Sequence, residues 1–223
     1  MDHVKVRNKK FMLRVPFYEN THGDGNQCFQ VAMQSAIKHF LRRDVSTEYL
    51  DRATGRTAGH QTWTPQIVPV LHDLGLKVRY YTKTDPKLLL GGKKSIRSHY
   101  GADAENIISL TDIDVLVASV KKLMLYGLYE VKIPTVSEMR RHMTDGHLML
   151  VLLDWNKVRH RAGFYNGHMG VVTGFDANNF YFHHSGPTDP KPNLPIRNDL
   201  FMSAWNANGT DNDLVVIYGK TES

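Results

Sequence analysis

The stretch that most restricts how this chain can fold is HMGVVTGFDANNFYFHH, residues 168–184. Two runs rich in β-branched and aromatic residues flank Asp176-Ala177-Asn178-Asn179, a tight-turn sequence, so the segment is predicted as a β-hairpin. LMLVLLD (148–154) has the continuous apolar run of a buried strand, DLVVIYG (213–219) supplies a last strand, and VRYYT (78–82) reads as another. FMLRVPFY (11–18) is a strand or an extended segment broken by Pro16. The SGPTDPKPNLPIRN segment, 185–198, carries four prolines and is expected to be irregular.

Elsewhere the apolar period is helical. Phe29, Ala32, Met33, Ala36, Ile37, Phe40 and Leu41 recur at steps of three and four across residues 28–43. Thr64-Pro65 opens a helix that runs to about Asp73 and stops at Gly75. Residues 112–126 read as helix, Thr135 or Ser137 with Glu138 opens a short one, and 198–205 forms another. Residues 84–100, with Pro, two Gly and many Lys and Arg, are expected as an exposed loop. Helices thus dominate the first half and strands the second, which predicts an α+β fold. It is expected to be one domain over 1–223, with a helical N-terminal lobe (about 20–145) packed on a C-terminal antiparallel sheet (about 146–220).

Composition narrows the function classes. A hydrophobic content of 41% supplies a sizeable core, and no apolar run is long enough to cross a bilayer. The net charge of +6 comes from scattered pairs such as Lys9-Lys10, Arg42-Arg43 and Lys121-Lys122, a solvated surface and not a nucleic-acid face. MDHVKVRNKKFMLRV has no apolar signal core, so a cytoplasmic protein is expected. A single cysteine, Cys28, excludes an internal disulfide. A zinc set of Cys28, His168 and His183 or His184 has no short ligand spacing behind it, and neither metal nor cofactor is expected.

Cys28 is the chemically pointed residue. It stands where the polar loop GDGNQ turns into the first helical pattern. The free N–H groups and positive dipole end of a helix favour a thiolate, and a facing imidazole would favour it further. Among twelve histidines, His168 is the best-placed partner: it opens the strand GVVTGF, and glycines on either side leave room for a substrate.

With VPFYEN (15–20), the Cys at a helix start, the LGL segment Leu74–Leu76 and the block GHMGVVTGFDANNFYFHH in that order, the chain resembles the C39-like peptidases, which are papain-like cysteine peptidases. The resemblance covers roughly residues 13–219 and implies a papain-like fold and a peptide or protein substrate. It places the nucleophile on Cys28, the general base on His168 and the oxyanion-hole amide on Asn20, with Gln27 as a rival donor. The position of the family's orienting Asp falls on His184, with Asp189 a few residues on as a substitute. The implied activity is hydrolysis of a peptide or amide bond. The alternatives are a catalytically inactive peptide-binding domain and an acyltransferase using the same Cys-His pair. Trp155 is expected in the core or at the cleft, and the loop 186–195 as a cleft wall.

Overall fold

The apolar run at 148–154 becomes strand β4 (Leu148–Asp154), and it is the middle of the fold. The architecture comes from a computed structural model describing residues 10–20, 24–163 and 165–222. Nearly every residue of β4 is buried, so both faces of the sheet are covered at this strand. It pairs antiparallel with β5 (Gly167–Phe175) on one side and β8 (Leu214–Lys220) on the other. The predicted hairpin is present as β5 and β6 (Asn179–His184). The eight-stranded sheet runs β3-β2-β8-β4-β5-β6-β7, with β1 (Phe11–Met12) pairing to β5.

Helices lie on both faces. On one, α1 (Cys28–Leu41), α2 (Thr47–Thr54) and α3 (Thr64–Asp73) bury Met33, Ile37, Leu50, Ile67 and Leu71 against Leu150, Met169 and Val171. On the other, α7 (Val136–Thr144), the short α8 (Trp155–Val158) and α9 (Asn198–Trp205) pack Met139, Trp155, Phe201 and Trp205 against Val151, Val172 and Phe182. Along β5 the side chains alternate between these two cores, which fixes the register of the hairpin.

Three segments depart from the sequence expectation. Residues 84–100 are not an exposed loop: a 3-10 turn (Pro86–Gly91) leads into α4 (Gly92–Tyr100). Asp85 caps the turn by accepting the Lys87 N–H at 3.0 Å, and Leu89 and Ile96 are buried under a charged outer face that masks the helical period. With α5 (Ala104–Ser109) and α6 (Ile113–Leu125) they build a small third core. The proline-rich segment contains β7 (Lys191–Arg197), an edge strand where missing N–H donors are tolerated. The sheet is also not purely antiparallel. β3 (Tyr129–Val131) pairs parallel to β2 (Leu76–Thr82), because the helical arm between them carries the chain back to the starting end. Among the described residues no helix is long and apolar enough to cross a membrane.

Two acidic side chains just before β8 cross-link the fold, Asp211 to the arm and Asp213 to α3 and β2. Asp211 accepts hydrogen bonds from Tyr100 and Thr84, each at 2.6 Å, and buried Asp213 accepts from Thr64 and Tyr80, each at 2.5 Å. Burial, followed by the charge of Asp211, lifts the Asp213 pKa from 3.8 to about 7. The folded chain therefore keeps this proton after the unfolded chain has lost it. The resulting stabilisation is full below about pH 4 and is lost as pH rises toward about 7. Asp213→Asn is expected to flatten that slope, seen as a smaller difference between urea melts at about pH 4.5 and about pH 7.

At Gly170 the neighbouring strand β6 leaves no room for a side chain. A Cβ there would lie 2.2 Å from the Phe182 ring and 2.6 Å from the His183 carbonyl oxygen. Gly170→Ala is expected to cost about 2 kcal/mol, measured by denaturant unfolding, because the obstruction is partly backbone and cannot swing away.

Candidate active site

The loop before α1 is held by local chemistry. Asp24 accepts the Asn26 N–H at 3.0 Å, and Gly25 takes a φ of +74° with Pro187 pressed against it. Gln27 caps α1 without a side-chain bond to the helix, so the first-turn N–H groups stay open. Cys28 is the first residue of α1 and is partly buried. Its sulfur faces the N–H groups of Met169, Phe29 and Cys28 itself, and Arg56 lies close enough for its charge to act. Burial is the largest influence and pushes the thiol above its usual 9.0; these N–H groups and Arg56 oppose it without cancelling it. The helix-mouth donors expected from the sequence are in place, but the lowered thiol pKa they suggested is overturned by desolvation.

His168 is the second residue of β5, paired with Leu153 of β4 and only 6% exposed. Its ring packs against Trp155 at 4.7 Å and Phe182 at 6.1 Å. Its Nε2 lies 3.0 Å from Nδ1 of His184, and Nε2 of His184 lies 2.8 Å from the Thr188 carbonyl oxygen. A carbonyl only accepts, so His184 carries its proton on Nε2 and offers a bare Nδ1. His168 must then donate from Nε2, which leaves its own Nδ1 with the lone pair. This tautomer assignment follows from the hydrogen-bond network. Burial, then the charges of His184 and Arg159, lowers the His168 pKa to about 3, so the ring is neutral at physiological pH.

The sulfur therefore meets the peptide N–H that directly follows His168, and the imidazole packs on Trp155. Among the described residues no hydrogen bond joins Cys28 to His168. Asn20 is nearly buried near the loop; its Nδ2 donates to the Gly25 carbonyl at 2.7 Å and its Oδ1 has no partner. Gln27 instead donates through Nε2 to Asp51 at 2.6 Å. His183 is turned to the α1 side, bonded to the Val15 carbonyl and the Asn193 N–H, and is separate from the His168–His184 pair. Asp189 does not reach His168; its side chain is exposed, with Arg159 at 3.5 Å. His22 lies outside the described residues. Among those described, no group of three or more His, Cys, Asp or Glu is placed to hold a metal ion.

Two contributors had little or no signal in the sequence. Thr188 acts through its backbone oxygen, which any residue type supplies. Arg159 donates to that same oxygen at 3.1 Å and stands over the Trp155 ring. Of the segment 186–195, expected as a cleft wall, the part before β7 borders the site through Pro187 and Thr188. Trp155 is at once core and site lining: it packs in the second core and lies 4.2 Å from the His184 ring.

The same arrangement of helix and sheet is found in a Bacillus anthracis protein described as a C39-like peptidase, with a TM-score of 0.59 at 9% identity over 96% of this chain and 100% of that one. The fold is that of the C39-like peptidases. The peptidase domain of Streptococcus ComA, a bifunctional ABC transporter of a quorum-sensing pathway, matches at a TM-score of 0.49 and 15% identity, covering 92% of this chain and all of that domain. No protein-family model matches the chain, and no curated protein matches it in sequence.

On this C39-like frame the histidine pair gives a sharp expectation. Nitrogen-15 NMR should find both His168 and His184 as Nε2–H tautomers, with His168 not titrating between about pH 5 and about pH 8. A His168 signal that moves with a midpoint near the ordinary 6.5 would contradict the burial described above.

Proposed function

We propose that the chain is a cysteine peptidase-like hydrolase that cuts a peptide or amide bond through Cys28 and His168. The support is the hydrogen-bond chain from the Thr188 carbonyl through His184 to His168, which leaves the His168 Nδ1 lone pair unprotonated and so able to take a proton. In this reading the Cys28 sulfur attacks the carbonyl carbon as its proton passes to His168 Nδ1. The Cys28 backbone N–H stabilises the oxyanion, aided by the Asn20 or Gln27 amide; each such donor is typically worth about 3 kcal/mol. His168 returns the proton to the leaving amine, and water then hydrolyses the thioester.

Both partners rest neutral in this scheme, since burial disfavours a lone thiolate and a lone imidazolium alike. The proton would move as the carbonyl is attacked, not in advance. Iodoacetamide is accordingly expected to label Cys28 at neutral pH no faster than it labels free cysteine, with the rate climbing only above the ordinary thiol value of 9.0. Fast labelling at neutral pH would refute the neutral resting state.

The activity test is hydrolysis of a peptide library by the purified protein. Cys28→Ala and His168→Ala are expected to abolish turnover. His184→Ala should lower kcat about a hundredfold, and His184→Asn, which keeps an acceptor, should lower it less. The missing Cys28–His168 hydrogen bond and the absence of a carboxylate partner favour a second reading, a catalytically inactive peptide-binding domain. Peptides retained on the column but uncut, with equal binding by Cys28→Ala, would decide for it.

A further inference from the structure

Arg56 is a buried cation that the mechanism above does not use. Its side chain is 3% exposed and lies just past the end of α2, after Gly55 at a φ of +72°. Its Nη2 reaches both oxygens of Asp24 at 2.5 Å, and its Nη1 reaches Asp51 Oδ2 at 3.1 Å. Asp51 Oδ2 also accepts from Gln27 Nε2, and Asp24 accepts the N–H groups of Asn26 and Gly59, the latter at 2.8 Å. One guanidinium thus ties the turn Asp24–Gln27, which delivers the chain to Cys28, to the end of α2. The bidentate geometry suits Arg and not Lys, whose single ammonium cannot span Asp24 and Asp51 with the same fork. Asp24 shows the strength of the tie. Although burial raises its pKa, the N–H groups of Gly59 and Asn26 and the charge of Arg56 hold it below the usual 3.8.

We propose that Arg56 is a positioning residue for the nucleophile, acting through Asp24 and Asp51 to fix the turn that sets the Gln27 carboxamide and the Cys28 N–H. The proposal rests on the hydrolase reading and adds a residue that neither touches substrate nor belongs to the Cys-His pair. Loss of the fork would let the turn fluctuate while β4 and β5 stay in place, so the damage falls on kcat and not on KM.

The test pairs hydrogen exchange with kinetics on the full chain. In Arg56→Lys, amide exchange over residues 24–31 should rise at least tenfold while the β4 and β5 amides stay unchanged, with kcat down at least tenfold and KM within twofold. Should Arg56→Lys fail to fold, Asp24→Asn, which keeps the shape and loses the charge pair, carries the same expectation. Wild-type exchange, or faster exchange with wild-type kcat, overturns the proposal. The underlying reading is checked separately with Cys28→Ser. Hydrolysis that survives Cys28→Ser refutes the peptidase, whereas hydrolysis lost there but intact in Arg56→Lys refutes the positioning role alone.

Discussion

The packing of α1 against β5 governs where any chemistry on this fold can happen. Ala32, Met33, Ala36 and Ile37 share one core with Met169 and Val171, and that contact directs the first turn of α1 at the start of β5. A helix and a strand distant in sequence then bring the only thiol beside the Met169 amide, one peptide after His168. The apolar seam creates the site; the polar groups only tune it. The same seam explains the buried sulfur. A residue at the mouth of a packed helix cannot have both the dense core behind it and full solvent around it, and here the core outweighs the helix dipole.

Electrostatically the pair differs from a preformed thiolate–imidazolium. Each ionised partner alone would be a buried charge, so the two charges can form only together, where each neutralises the other. The cation-disfavouring side of the balance is reinforced by the charge of Arg159, whose guanidinium lies 3.4 Å from the protonated Nε2 of His184 without bonding to it. What the fold supplies in place of a carboxylate is orientation: the Thr188 carbonyl sets the tautomer of His184, and His184 sets that of His168. Orientation without charge gives a base that is correctly aimed and intrinsically weak.

Most of the frame could be read from the sequence because its signals are local. The β5–β6 hairpin was marked by two apolar runs around an Asp-Asn turn, and α1 by a clean three-and-four period. The signals failed where side-chain chemistry pointed one way and tertiary context another. Prolines 192 and 195 speak against a strand, yet β7 is an edge strand where their lack of N–H costs little. Lys93, Lys94 and Arg97 disguise α4, whose buried contact is the single residue Ile96. The parallel β2–β3 pairing depends on a crossover of helices that no periodicity encodes. At the site, Cys28 and His168 stood out by residue type and position, and His184 came only from the resemblance to the C39-like peptidases. Thr188 did not, because a backbone oxygen has no residue type, and neither did Arg56, whose meaning lies in joining the nearby Asp51 to Asp24, far from it in sequence.

His184 and the loop that follows it are matched to one another, which is why a carboxylate is not a simple replacement there. The Thr188 oxygen faces Nε2 of His184 at 2.8 Å and needs a donor. An ionised Asp is acceptor-only and would set two acceptors face to face. Arg159 would then be drawn onto the new carboxylate, since it already lies between Thr188 and Asp189, and the charge meant for His168 would be spent on the guanidinium. Relief requires the loop 185–190 to move, and that loop is pinned through the Asn20 N–H to the Ser185 oxygen at 2.6 Å and through Pro187 against Gly25. The neutral imidazole at position 184, the Arg159 contact and the path of the loop are therefore one arrangement. A charge-stabilised His168 would require all three to change together.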